Sequence, residues 1–140
     1  MVKNFQIFID KNIEAKELVS LMASVGWGDE SNYDNQAVER SLSAYPFIAH
    51  CRDSAGLLVG YVSAFSDGAF STFVGELVVR PEFQHNGIGT ELLRLVVDKY
   101  SGVPVYATPF EDVQQFFLER GFRIPKRAMS VVSSRNALPA

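Results

Sequence analysis

The chain has 140 residues and one cysteine, Cys51, so it can form no disulfide framework and shows no Cys/His spacing typical of a metal site. A lone thiol fits a reducing compartment, and we expect a cytoplasmic protein. Long hydrophobic runs are also missing, because the most apolar segment, residues 57–65, is interrupted by Gly60 and Ser63. This segment is too short to span a bilayer, so no membrane partner is expected.

Positive charge is scarce as well. The net charge is −3 at pH 7, and no basic run occurs outside the pair Lys126-Arg127. We therefore expect no nucleic-acid partner. A mildly acidic body favours cationic ligands such as amines, although only through weak long-range attraction. The length suits a single domain over residues 1–140, and no repeat or linker divides it.

Hydrophobic periodicity predicts an α+β fold with a mixed sheet. Strands are predicted over residues 5–9, 47–52, 57–66, 71–79, 103–107 and 128–133, with a further short strand opening at Phe122. Helices are predicted over residues 13–25, 35–44 and 111–120, and a longer amphipathic helix follows Gly89.

A turn with two glycines connects the predicted strand over 71–79 to the long helix, in the pattern Gln84-x-x-Gly87-x-Gly89. Pro81 ends the strand because proline cannot donate to a sheet ladder. The glycines let the backbone curl closely around a ligand, and free amides at the helix start suit a pyrophosphate. A P-loop is excluded because no lysine follows Gly89, and a dinucleotide fingerprint would need a third glycine.

This turn, together with the Pro81-Glu82-Phe83 segment before it, resembles the acetyl-CoA motif of the GNAT superfamily of N-acetyltransferases. The order of predicted elements is similar to the GNAT layout over nearly the whole chain. Residues 116–122 also resemble the family's Phe-Tyr-x-x-x-Gly-Phe helix. The resemblance, to small bacterial single-domain members, implies a mixed, mostly antiparallel twisted sheet of six to seven strands flanked by about four helices.

The resemblance implies acetyl transfer from acetyl-CoA to a primary amine by direct attack through a tetrahedral intermediate. The end of the fourth strand would then bond the pantetheine amides, the glycine turn would hold the pyrophosphate, and the last helix would cover the pantetheine arm. Carried over in this way, the cofactor-binding residues are Leu77, Val78, Val79, Gln84, His85, Asn86, Gly87, Ile88, Gly89, Thr90 and Phe117. Asn86 stands where relatives usually have a basic residue, which predicts weaker phosphate binding.

Glu76 is the candidate general base. An alkyl amine has a pKa near ~10 and has to lose a proton before it attacks. A carboxylate set among apolar strand residues would be desolvated, and its pKa raised. Strict alternation places Glu76 on one face with Val74 and Val78, opposite Phe73, Gly75, Leu77 and Val79. A structural partnership of Glu76 with an arginine or a backbone amide remains an alternative, as does deprotonation through water.

The family's usual acid, a tyrosine in the last helix, corresponds to Phe117, which has no proton to give. Tyr106 and Tyr61 are candidate substitutes, although each also fits a strand core. A thiol of pKa about 8.5 can leave largely as thiolate, so the reaction does not strictly need an acid.

Two functions therefore stay open. One is an active N-acetyltransferase on a small-molecule or peptide amine, and the other is a CoA-binding regulatory module with little or no catalysis. A homodimer, common among relatives, is compatible with either.

Overall fold

The computed structural model describes residues 4–134 and contains five strands and four α-helices over that range. The strands are β1 (Phe5–Phe8), β2 (Phe47–Asp53), β3 (Leu58–Ser66), β4 (Thr72–Val79) and β5 (Val105–Tyr106). The helices are α1 (Ala15–Ser24), α2 (Asn35–Ala44), α3 (Ile88–Lys99) and α4 (Gln114–Leu118). None of the helices described is long and apolar enough to cross a bilayer.

The five strands form one sheet in the order β1-β2-β3-β4-β5. Every neighbouring pair is antiparallel except β4 and β5, which are parallel. The predicted α+β class with a mixed, mostly antiparallel sheet is thereby confirmed. The parallel pair is short, because only Thr72 with Val105 and Phe73 with Tyr106 are in register. Beyond Phe73, the outer edge of β4 has no strand partner within residues 4–134.

The predicted number of six to seven strands is wrong for the described chain, which has five. Neither Phe122 nor residues 128–133 form a strand. Val131 and Val132 are 73% and 92% exposed. Their β-branched side chains favour a strand locally, but extended chain becomes a strand only when a neighbouring strand pairs with it.

The helices cover the two faces of the sheet. Helices α1 and α2 pack on one face, and α3 packs on the other. The first core contains Leu18, Leu21, Val38, Leu42, Ile48, Tyr61 and Val78, and the second contains Ala49, Val59, Val62, Ile88, Leu92 and Val96. Helix α3 lies close to β3, since a Cβ at Gly60 would be 2.9 Å from Cγ2 of Ile88. Glycine at this position therefore permits the helix to approach.

Strand β4 contains a bulge at Gly75. In the ladder with β3, Ser63 pairs with Glu76 and Ala64 pairs with Val74, which leaves Gly75 without a partner of its own. An extra residue of this kind shifts the alternation of side chains by one position.

Because of this bulge, the side chains of β4 lie on other faces than strict alternation predicts. Val74 packs in the core beneath α3, together with Leu77 and Val79. Phe73 lies on the opposite face with Glu76. Its ring stacks on Phe65, which contacts Tyr45, and the hydroxyl of Tyr45 donates to the Glu76 carboxylate. Strict alternation groups Val74 with Glu76 and Phe73 with Leu77. Both groupings are wrong because an unpaired residue separates the two halves of the strand.

A two-pronged ion pair ties α1 to β2. Nη1 of Arg52 lies 2.8 Å from Oε1 of Glu17, and Nη2 lies 3.0 Å from Oε2. The side chains are 18% and 29% exposed, respectively. The guanidinium of Arg52 holds the pKa of Glu17 below its usual value of 4.5.

We predict that Glu17→Gln lowers the free energy of unfolding by about 1 kcal/mol near neutral pH, because a charge-assisted pair at a half-exposed site is lost. The pKa of Glu17 is lower in the folded state. Its stabilisation is therefore complete above the unfolded-state value and fades as pH falls through the folded-state value. Urea unfolding at neutral and acidic pH measures both effects. Glu39→Gln, an exposed change on α2, is the control. A deficit that persists unchanged in acid would contradict the assignment.

Candidate active site

The segment between β4 and α3, which we call the phosphate turn (residues 84–90), is braced by its own side chains. Nε2 of Gln84 donates to the carbonyl of Val79 at 3.0 Å. Nδ2 of Asn86 donates to the carbonyls of Phe83 and Gln84, both at 3.1 Å. These amide side chains therefore hold the shape of the turn from within.

The main-chain amides of residues 85–90 in the phosphate turn have no hydrogen-bond partner in the described chain. Within residues 4–134, none of the six consecutive N–H groups from His85 to Thr90 donates to an acceptor. The first helical bond of α3 runs from the amide of Glu91 to the carbonyl of Gly87, at 3.0 Å. Successive unpaired amides at the positive end of a helix dipole make a binding site for an anion.

Two left-handed residues shape the phosphate turn. Gly87 has φ +83° and stands immediately before α3. His85 has φ +66° and is the non-glycine residue with positive φ in the described chain. This conformation costs a residue with a Cβ about 1 kcal/mol. A glycine at position 85 would avoid this cost.

Arg120 is a site residue that the sequence reasoning missed. Its Nε donates to Oγ1 of Thr90 at 2.7 Å, and its Nη1 donates to the carbonyl of Phe116 at 2.7 Å. The guanidinium also lies 3.8 Å from the centroid of the Phe116 ring. No carboxylate of the described chain forms an ion pair with it. Arg120 thus brings a cation to the phosphate turn, where Asn86 supplies none.

Helix α4 lies against the same turn through Phe116. A Cβ at Gly89 would be 3.2 Å from Cζ of the Phe116 ring, so glycine at 89 leaves room for that ring. Phe117 is buried, and its ring packs edge to face against Phe116 and Phe122. Phe117 therefore fixes the helix, and Phe116 contacts the phosphate turn.

The carboxylate of Glu76 is held by hydroxyl groups. Tyr45 donates to Oε2 and Ser63 donates to Oε1, each at 3.0 Å. Oγ of Ser63 also accepts from the backbone amide of Glu76 at 2.9 Å. No arginine or lysine of the described chain pairs with this carboxylate. Glu76 therefore lies in a half-buried site where hydroxyl groups hold its carboxylate.

Residues 12–122 match the model of the acetyltransferase (GNAT) family. The chain belongs to the GNAT family. It is 27% identical over 125 residues to the uncharacterized N-acetyltransferase ycf52 of Pyropia yezoensis, spanning 86% of this chain and 71% of that protein. It is 29% identical over 112 residues to GCN5-related N-acetyltransferase 3, chloroplastic, of Arabidopsis thaliana, spanning 78% of this chain and 46% of that protein.

The fold agrees with this family. A GNAT family acetyltransferase from Streptococcus pneumoniae superimposes with a TM-score of 0.71 at 24% identity, over 94% of this chain and 99% of that one. The chain therefore has the fold of the GNAT acetyltransferase family.

In this GNAT chain, the carboxylate of Glu76 contributes to a raised pKa at three tyrosines. Burial raises the pKa of Tyr45 to about 12, and the Glu76 carboxylate adds to the shift. Burial and the same carboxylate raise the pKa of Tyr33 and of Tyr61. The phenols therefore stay protonated near neutral pH, as Tyr45 does when it donates to Glu76.

The two candidate acids have different settings. Tyr61 is fully buried beneath α1 and α2, so it cannot reach a substrate. Tyr106 is half-buried on β5, where its ring stacks on Phe73 at a centroid distance of 5.5 Å. It therefore stands where β4 and β5 separate, which leaves Tyr106 as the accessible one of the pair.

We predict that Gly75→Ala destabilises the protein by about 1–3 kcal/mol, because its Cβ would lie 2.6 Å from Cζ of Tyr45 and 2.7 Å from Oγ of Ser63. If the Tyr45 ring causes this cost, the cost shrinks by about 1 kcal/mol or more in a Tyr45→Ala background. Urea unfolding of both single variants and the double variant measures the coupling.

Gly56→Ala is the matched control for this cycle. Gly56 has φ +88° and open space around its Cβ position, so its cost comes from the backbone alone. That cost should be the same with or without Tyr45. Additive effects for the Gly75 pair would refute the steric role of Tyr45.

Proposed function

We propose that this GNAT protein transfers the acetyl group of acetyl-CoA to a primary amine. The observation that carries the proposal is the run of six amides over residues 85–90 that have no partner within residues 4–134. A short turn, residues 80–84, joins them to the open outer edge of β4. A pyrophosphate joined to an extended arm with amide groups suits this arrangement, because it offers an anion to the turn and hydrogen-bond partners to the strand edge. CoA has that chemistry.

Different residues bind different parts of CoA. In this proposal the amides of residues 85–90 hold the pyrophosphate, with Arg120 as the nearby cation. The main chain of Leu77, Val78 and Val79 bonds the pantetheine arm, and an N–H group there stabilises the negative charge that develops on the carbonyl oxygen. Phe116 and Phe117, both on α4, cover the pantetheine arm from one side.

Acetyl-CoA supplies the acetyl group as a thioester. The amine nitrogen forms a bond to the acetyl carbon, the bond from that carbon to sulfur breaks, and sulfur leaves with the electron pair as thiolate. Glu76 accepts the proton that the amine loses, directly or through one water. Its carboxylate suits this role because hydroxyl groups hold it in place and no cation of the described chain neutralises it.

The leaving thiolate needs little help near neutral pH, because its conjugate thiol has a pKa of about 8.5. We assign Tyr106 as the group that returns a proton when one is needed, since it is the accessible tyrosine where β4 and β5 separate. A CoA-binding regulatory module remains the second candidate. It is favoured by Phe117, which is buried and has no proton to donate.

The partner in this proposal is a small-molecule or peptide amine, and the compartment is the reducing cytoplasm. Burial raises the pKa of the Cys51 thiol to about 11, so this cysteine has no part in the chemistry.

The decisive experiment measures thiol release from acetyl-CoA over a panel of amines, for the wild type and for Glu76→Gln. We expect Glu76→Gln to reduce kcat/KM by about 10²- to 10⁴-fold, because a general base is lost. The dissociation constant of acetyl-CoA, measured by calorimetry, should stay unchanged. Glu39→Gln removes a carboxylate of equal charge from the exposed side of α2 and should leave turnover unaltered. Tight binding without turnover on any amine would establish the regulatory module instead.

A separate prediction concerns Arg120. We expect Arg120→Gln to weaken binding of acetyl-CoA by about threefold to tenfold, because one charge-assisted contact to a phosphate oxygen is lost at an exposed site. The loss should be as large for the analogue without the 3′-phosphate, because Thr90 places Arg120 at the pyrophosphate end. Arg123→Gln, an exposed change three residues away, is the control. Equal losses for both variants would show general electrostatic attraction only.

A further inference from the structure

Four aromatic rings form a continuous row across the sheet, on the face that carries Glu76. This aromatic row consists of Tyr45, Phe65, Phe73 and Tyr106. Successive ring centroids are 6.1, 5.5 and 5.5 Å apart. Phe65 and Phe73 are register partners across β3 and β4, and Tyr106 is the partner of Phe73 on β5. Three adjacent strands thus present one ring each at the same level.

The central rings of the aromatic row are not covered. Phe65 is 47% exposed and Phe73 is 38% exposed. Their planes differ by 28°, and nearly parallel rings at 5.5 Å overlap as an offset stack, so ring edges point towards solvent. Ring edges carry partial positive charge and accept the face of another aromatic ring. The row therefore offers apolar contact with a preference for a flat π system.

A negative charge stands at one end of the aromatic row. The hydroxyl of Tyr45, the first ring, donates to Oε2 of Glu76 at 3.0 Å. Within residues 4–134 this carboxylate has no cationic partner, so it can attract an amine. Ring edges with positive character do not attract an ammonium group, and the carboxylate does. The surface therefore separates an apolar section from an amine-binding end.

We propose that the acceptor is an arylalkylamine, with its aromatic ring on the edges of Phe65 and Phe73 and its amino group at Glu76. This inference rests on the proposed acetyl transfer and adds the chemical class of the acceptor. An amine joined to the ring by a short alkyl chain has one apolar, flat end and one basic end, in the order that the row and the carboxylate present.

A polyamine would need a second carboxylate along the aromatic row. Asp67 is the first acidic residue after Phe65 in the sequence, and it does not supply that carboxylate. Oδ1 of Asp67 accepts from the backbone amides of Ala69, Phe70 and Ser71, at 2.8, 2.8 and 3.2 Å. That carboxylate closes its own turn and is not directed to a second amine.

The test uses four amines of similar basicity with the full chain and saturating acetyl-CoA: phenethylamine, cyclohexylethylamine, hexylamine and cadaverine. We expect kcat/KM for phenethylamine to exceed that for cyclohexylethylamine by about threefold to tenfold, because only the aromatic ring gains edge-to-face contact. Cyclohexylethylamine has a ring of similar size and greater hydrophobicity, so it separates aromatic recognition from simple burial.

A variant locates the contact. Phe73→Leu should raise KM for phenethylamine by about threefold or more and change KM for hexylamine by less than about twofold. The two KM changes are compared within this one variant, and calorimetry with acetyl-CoA checks that the variant is folded. Phe110→Leu is the matched control, since Phe110 is also an exposed phenylalanine but lies outside the aromatic row.

The outcomes separate this inference from the proposed function. Equal or better turnover of hexylamine, cyclohexylethylamine or cadaverine in the wild type would overturn the aromatic acceptor while acetyl transfer stands. Turnover of none of the amines, with acetyl-CoA bound, would overturn both. The wild-type panel decides the matter even if Phe73→Leu fails to fold.

Discussion

The parallel pairing of β4 and β5 ends after two residue pairs, and the whole site depends on this early end. From Val74 to Val79 one edge of β4 stays without a strand neighbour in the described chain, so its main-chain groups are available to a ligand. The phosphate turn continues the same stretch of backbone. Residues 74–79 therefore present an open strand edge, and after a short turn residues 85–90 present amides without a partner in the described chain.

The bulge at Gly75 determines what stands beside that open edge. Without the extra residue, Phe73 and Glu76 would face opposite sides of the sheet. With it, the ring and the carboxylate share one face, and Tyr45 packs directly over the glycine. A half-buried carboxylate without a cation is unfavourable for folding, and the hydroxyls of Tyr45 and Ser63 offset part of that cost. Such a balance is typical of a functional position.

Features coded by neighbouring residues could be predicted from the sequence. The bounds of α2, Asn35–Ala44, agree with the prediction because Asp34 caps the helix through the amide of Gln36. The phosphate turn was predicted for the same reason, since its glycines, its proline and the following helix lie within a few residues. The turn at Asp67 is closed locally as well, since its carboxylate accepts from the amides of Ala69 and Phe70.

Features that need a distant partner could not be predicted. Arg120 reaches Thr90 across thirty positions, and its only local signal is its place before Gly121. The bulge at Gly75 arises from the pairing of two strands, and alternation within one strand cannot reveal it. The segment 128–133 has the composition of a strand, yet strand formation depends on a neighbour that local composition does not specify.

The shortness of β5 has a consequence for dynamics. A ladder of two residue pairs, with one further bond from the amide of Thr72 to the carbonyl of Pro104, adds little local stability. Strand β5 should open far more often than β3, which is hydrogen-bonded on both sides, so amide protons of β5 exchange with solvent early. Tyr106 therefore stands on the more flexible side of the open edge of β4, and β3 with β4 forms the more rigid side.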